Sequence, residues 1–232
     1  MLNISNWDFY YNIEGNEAVK ANLVYTPYIS PDSKTFCMEF NRNPLYHTDP
    51  TENAKWTDDD LQERFNRELR FRNRAAMVMP VVNITDVDYF KRRIFLEWPG
   101  DDFYMMAHKA NGYNNVLPNW QEQWSNLIRK MWSVNLLKIS LHPNSWVVRE
   151  NTLVPFNWFY SYDAHEKVTI RSMLKQISAG RQEKMFPLLE QQGLELDTLY
   201  PIKALQPIAF NSFRANYSAE LIDNTIKEYP WA

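Results

Sequence analysis

The chain is poor in the residues that build several common kinds of site. It has one cysteine, Cys37, so no disulfide can close within it, and a reducing compartment fits. That single thiol and four scattered histidines, His47, His108, His142 and His165, fall short of the ligand set of a structural zinc site. Glycine is scarce, at five in 232 residues, which leaves few places for a backbone to close tightly on a phosphate. An excess of positive charge is also missing. The net charge of −3 exerts no long-range pull toward nucleic acid or an anionic membrane. The opening MLNISNWDFY lacks the basic and apolar regions of a secretory signal, and no apolar run approaches the length of a membrane span. The expected compartment is the cytoplasm, and no cofactor or metal is expected.

What is present is a globular composition: 45% hydrophobic, 23% charged, and 15% aromatic with nine tryptophans. VKANLVYTPY and KTFCMEFN read as strands around the turn SPDS. A helix is expected over 57–75, with Thr57 as N-cap and Asp58, Asp59 and Asp60 at the positive end of its dipole. Leu61, Phe65, Glu68 and Arg72 share one face of it. The arginines of RELRFRNR read as a solvated helix end. MVMPVV and IFLEW read as buried strands, with the polar ITDVDYFKRR between them. From Asn119 the spacing of Trp120, Trp124, Leu127, Ile128 and Met131 predicts a long core helix. WVV and LVPF form a hairpin about Arg149, Glu150 and Asn151. Helices follow over TIRSMLKQIS, over QEKMFPLLEQQ with a break at Pro187, and over SAELIDNTIKEY behind Ser218.

Between the long helix and the hairpin lies SLHPNS, and NWF follows it at Asn157–Phe159. In order and spacing, most of the chain resembles the protein-kinase-like fold in its small, diverged bacterial or phage versions. SLHPNS resembles a catalytic loop of the type D-L-H-P-x-N, and NWF resembles the D-F-G element. The resemblance implies a two-lobed α+β fold, with a sheet-rich N-lobe over 1–98 and a helical C-lobe over 99–232. Ser140 then stands at the catalytic Asp position, Ser145 at the Asn position, and Asn157 at the metal-binding Asp position. FCMEF resembles the strand that carries the phosphate-pairing lysine, which puts Glu39 in that place. Glu68 resembles the glutamate that pairs with the lysine, and Glu97 and Trp98 fall at the hinge where an adenine would bond. Gly15 alone stands where a glycine-rich loop would be.

Neutral oxygens at Ser145 and Asn157 are poor ligands for a hard metal ion, and Ser140 cannot act as a carboxylate base. Glu39 would repel phosphates, and beside Glu68 it would form a like-charge pair. On that reading Glu39→Lys should be tolerated or stabilising; strong destabilisation would point to a cationic partner such as Arg72 or Arg67. His142 reads as a structural hydrogen-bonding residue. The function expected is that of a pseudokinase-like protein that binds a protein partner through exposed Trp, Tyr and Met, without ATP. The alternatives are an atypical phosphotransferase using Asp163, Glu166, Asp101 or Asp102, and an unrelated α+β interaction domain.

Overall fold

The computed structural model describes residues 2–10, 24–41, 57–175 and 179–228. It has a mixed α/β architecture with sheet-rich and helical parts, and its contacts divide the chain into two units. The first takes residues up to 69 together with 82–100, and the second takes 70–81 with 101–232. The segment 70–81, assigned to the first lobe in the sequence reading, thus counts with the second unit.

The first unit is built on five antiparallel strands in the order β1-β2-β3-β5-β4: β1 (Asp8–Phe9), β2 (Thr26–Ile29), β3 (Thr35–Glu39), β4 (Ile84–Asp88) and β5 (Arg93–Glu97). Strands β2 and β3 join through the expected SPDS turn, where Ser33 N–H donates to the Ser30 carbonyl at 2.8 Å. The two-residue alternation of β3 sends Phe36 and Met38 to one face and Cys37 and Glu39 to the other. The first helix, α1 (Asp58–Ala75), is fixed at its start by a reciprocal cap. Thr57 Oγ1 accepts from Asp60 N–H at 3.1 Å, and Asp60 Oδ2 accepts from Thr57 N–H at 2.9 Å. Leu61, Phe65, Glu68 and Arg72 are all buried, as their shared face requires. Phe65 meets Phe40 edge-on at 6.0 Å, which places this part of α1 over the Phe36–Met38–Phe40 face of the sheet. The opposite face is covered by Ile4 and Trp7, which pack on Cys37 and Phe95.

Two expectations fail between α1 and β5. MVMPVV is not a strand: Met77, Val78 and Met79 N–H groups return to carbonyls of Arg74 and Ala75, so the chain leaves the helix in tight turns. The strand is the polar ITDVD instead. It sits at the sheet edge beside β5, where among the described residues no further strand pairs with it and most of its side chains are only half-buried, so an apolar run is not needed. The RELRFRNR arginines are also not simply solvated, because Arg67 is 9% and Arg72 1% exposed.

The second unit surrounds one large core. Its central helix, α4 (Trp120–Ser133), follows two short helices, α2 (Phe103–Lys109) and α3 (Tyr113–Val116), and buries the predicted stripe. Strand β6 (Leu136–Lys138) pairs with β9 (Ser161–Asp163). The hairpin of β7 (Trp146–Arg149) and β8 (Thr152–Pro155) turns at Glu150 and Asn151, with φ of 48° and 60°. Positive φ at both central residues is what a tight two-residue hairpin turn demands. Strand β10 (Lys167–Thr169) pairs with β11 (Leu199–Pro201). The remaining helices are α5 (Ile170–Lys175), α6 (Ala179–Gln191), α7 (Ile202–Ser212) and α8 (Ala219–Ile226). Pro187 lies inside α6 and does not break it. Helix α7 was hidden by Pro201 and Pro207; Pro201 caps its start, and Leu205, Ala209 and Phe210 anchor it in the core. Among the described residues no helix is long and apolar enough to cross a membrane.

Candidate functional site

The loop at 140–145 is held by main-chain bonds and by side chains that cap its N–H and carbonyl groups. Ile139 N–H donates to the Tyr160 carbonyl at 2.9 Å, which extends the β6–β9 pairing up to the loop. Pro143, Asn144 and Ser145 make one 3-10 turn, closed by Ser145 N–H on the His142 carbonyl at 2.8 Å. His142 Nδ1 caps that turn by accepting from Asn144 N–H at 3.1 Å, and its ring lies 5.3 Å from Tyr104. These contacts agree with a structural histidine. The Leu141 carbonyl accepts from the Tyr217 hydroxyl and from Trp146 Nε1. Burial pushes the Tyr217 hydroxyl far above its usual range, so it stays a neutral donor.

Ser140 and Ser145 do come together. Their hydroxyls share a hydrogen bond of 2.6 Å, and Ser145 is buried. Each therefore spends part of its polarity on the other, and the pair is uncharged. Asn157 lies in a segment held by buried cations. Lys138, only 2% exposed, donates from Nζ to the Asn157 carbonyl and sits 5.3 Å over the Trp158 ring. Arg72 donates from Nη2 to the Phe156 carbonyl at 2.9 Å. Two buried cations thus grip consecutive carbonyls of the segment that ends in Asn157. Neither was singled out for this role from the sequence. Lys138 was detectable as a lone charge inside the apolar run NLLKISL, and Arg72 as a cation on the apolar face of α1.

In the first unit, Glu39 is not at an unmatched lysine position. It lies opposite Arg93 in the β3–β5 register, accepting from Nε at 2.9 Å and from Nη2 at 2.8 Å. It also takes a hydrogen bond from Tyr28, whose hydroxyl is pushed up to about 12 chiefly by burial and then by Glu39. The cationic partner is Arg93, not Arg72 or Arg67. Glu39 also belongs to the sheet face opposite the one α1 covers, whereas Glu68 is buried on the Phe65 side of α1. The like-charge pair expected of Glu39 and Glu68 is therefore corrected by strand alternation. The β3 side chains on the α1 side are Phe36 and Met38, with Phe40 just beyond, all nearly fully buried.

The hinge candidates are also engaged within the unit. Glu97 N–H donates to the Asn83 carbonyl at 3.0 Å and Trp98 N–H to the Lys34 carbonyl at 2.8 Å. The Trp98 ring rests 5.4 Å from Phe36 and 4.5 Å from Tyr10. Gly15 lies outside the described residues.

The four alternative carboxylates have structural partners. Asp163 pairs with Arg74 at 2.6 Å, and bonds from Arg74 and from His165 N–H hold its carboxyl below its usual range despite partial burial. Glu166 accepts from Asp163 N–H at 2.8 Å and from Arg70 at 3.4 Å. Asp101 pairs with Lys109 at 2.5 Å. Asp102 caps α2, accepting from Met105 N–H at 2.9 Å, and burial pushes its carboxyl up to about 6. Among the described residues no group of three or more His, Cys, Asp and Glu side chains is placed to hold a metal ion.

No family model matches the chain, and no curated protein matches it. Among solved structures, the bifunctional kinase-methyltransferase WbdD is similar with a TM-score of 0.49 at 9% identity, over 97% of this chain. The chain spans 51% of the length of that one. At that level of likeness, function has to be argued from the residues themselves.

Proposed function

We propose that this chain is a kinase-like protein that has lost phosphoryl transfer and acts by binding a protein partner, with its sheet-rich and helical units corresponding to an N-lobe and a C-lobe divided in the sequence near residue 98. The observation that carries this reading is on β3. A kinase needs a cation there to pair both with the helix glutamate and with the phosphates. On the α1 side, where Glu68 is buried, β3 offers Phe36 and Met38. Apolar side chains there exclude the phosphates' counter-charge by volume as well as by chemistry. The neutral Ser140–Ser145 pair and the internally used N–H groups of Glu97 and Trp98 favour the same reading.

The tryptophans of the second unit's core, Trp120, Trp124, Trp132, Trp146 and Trp158, are buried and so drop out as partner anchors. Tyr89 and Phe90 are the better candidates. They are 70% and 88% exposed on the turn between β4 and β5, which Asp88 Oδ1 stiffens by accepting from Phe90 and Lys91 N–H. Exposed aromatics on a fixed turn lose little entropy on binding.

A melting curve with and without Mg·ATP tests the loss of nucleotide chemistry. Ligand at a hundred times its dissociation constant stabilises a protein by about 2.7 kcal/mol, which such a curve resolves. No shift is expected. A magnesium-dependent rise in melting temperature would overturn the reading and favour a phosphotransferase.

A further inference from the structure

The sequence contains one Asn–Gly step, Asn111–Gly112, and it lies where α2 ends. Asparagine before glycine is the pair most prone to spontaneous deamidation, because glycine sets no side chain in the way of its own nitrogen. That backbone nitrogen, once it has given its proton to a base in solution, attacks the asparagine Cγ. A new C–N bond forms, the carboxamide C–N bond breaks, and ammonia leaves. Water then opens the five-membered succinimide at one of its two carbonyls, giving aspartate or isoaspartate. The step needs no oxidant, reductant or enzyme.

Asn111 is exposed to the water and base that this chemistry takes, yet its backbone is set against it. Helix α2 closes with both bonds of a Schellman motif: Gly112 N–H donates to the Ala107 carbonyl at 2.8 Å, and Asn111 N–H to the His108 carbonyl at 3.4 Å. Asn111 holds the left-handed position of that motif, with φ of 56°, which asparagine adopts more readily than most residues with a side chain. The attacking nitrogen is thus engaged as a donor, so loss of its proton is disfavoured. Left-handed backbone also carries ψ of roughly +47°. That turns the Gly112 nitrogen almost directly away from the Asn111 Cβ about the Cα–C bond, whereas ring closure needs the two nearly eclipsed. Asn115 Nδ2 ties the turn down from α3 by donating to the Ala110 carbonyl at 2.9 Å. Gly112 sits at φ of 142°, so the residue that makes the step reactive is the one the turn requires.

We propose that Asn111–Gly112 is a latent deamidation site, held closed by the C-terminal turn of α2 and opened when that turn frays. The product does not restore the lock. It places a carboxylate at the negative end of the α2 dipole, and isoaspartate adds a carbon to the main chain of the turn. Helix α2 meets the 140–145 loop where Tyr104 packs 5.3 Å from His142, so a loosened α2 weakens one support of that loop. The site is independent of phosphate chemistry and stands whether or not the chain binds nucleotide.

Peptide-mapping mass spectrometry on the full chain, aged at neutral pH, tests it by following the one-dalton gain at Asn111, with an isoaspartyl methyltransferase assay for the isomerised product. The chain unfolded in urea should be modified at Asn111 at least about tenfold faster than the folded chain, because only open states react. Lys109→Gly weakens the last turn of α2 at an exposed position and leaves the core alone. Modification about fivefold faster than in the parent is expected, the factor that the poor helix propensity of one glycine carries. Hydrogen exchange reads the lock directly in the parent, where the Gly112 N–H should exchange more slowly than in an open peptide. Equal rates in the folded and unfolded chains, an unprotected Gly112 N–H, or a folded Lys109→Gly variant modified no faster than the parent would overturn the proposal.

Discussion

The sheet of the first unit and the 156–158 segment of the second use cations in different ways. In the sheet, cations meet carboxylates: Arg93 faces Glu39 across two strands, and Arg92 reaches Asp58 at 3.1 Å. In the 156–158 segment, Arg72 and Lys138 donate to main-chain carbonyls. A carboxylate partner can be exchanged by mutation, and a pair with an exposed member, such as Arg92–Asp58, contributes little to stability. A backbone carbonyl cannot be exchanged, and a buried one left without its donor costs the full desolvation of that group. Arg92–Asp58 therefore tunes a surface and the largely buried Arg93–Glu39 pair joins two strands side chain to side chain, while Arg72 and Lys138 set a conformation.

The largest expected effect is on that second kind of contact. Arg72→Ala should destabilise by about 3–5 kcal/mol, since it empties a buried volume and strands the Phe156 carbonyl. Lys138→Met keeps the volume and loses the bond to Asn157, so a smaller cost of about 1–3 kcal/mol is expected. Chemical denaturation measures both. If Arg72→Ala costs no more than a surface pair, the distinction between the two regions fails.

Asp102 comes next, and its sign depends on pH. Its folded carboxyl titrates near 6, above the ordinary value of 3.8, because burial disfavours the charge. The folded state therefore holds the proton more tightly than the unfolded one. That contribution is fully present below about pH 4 and is lost as pH rises to about 6. Asp102→Asn keeps a good helix cap without the charge. It should stabilise by about 1–2 kcal/mol at pH 7 and by close to nothing at pH 4, read as the difference between variant and parent.

Glu39→Lys sharpens the comparison from the sheet side. It sets two cations directly opposite each other, so destabilisation by about 1–2 kcal/mol is expected, with Glu39→Gln costing about half as much. A gain in stability would restore the idea that Glu39 lacks a cationic partner. The smallest expected effect is on activity: Ser140→Asp with Ser145→Asn and Asn157→Asp should show no phosphoryl transfer in a radiolabelled ATP assay, because β3 still presents Phe36 and Met38 on the α1 side.

Much of the local structure was legible because it rests on near neighbours. Thr57 and the three following aspartates determined where α1 begins. The spacing of Trp120, Trp124, Leu127, Ile128 and Met131 determined the core face of α4, and Glu150–Asn151 determined the hairpin turn. These are matters of a few consecutive residues and one helical or extended period. The sequence also determined that no carboxylate stands at 140, 145 or 157. Tertiary structure decided the rest. ITDVD is a strand only because β5 lies beside it, and α7 persists through Pro207 because Leu205, Ala209 and Phe210 are held by the core. Glu39 found Arg93 through strand register, a relation across 54 positions that no local pattern encodes. Arg72 and Lys138 are buried for the same kind of reason. Their partners are carbonyl groups, which every residue carries, so sequence could not mark which of them these cations would meet.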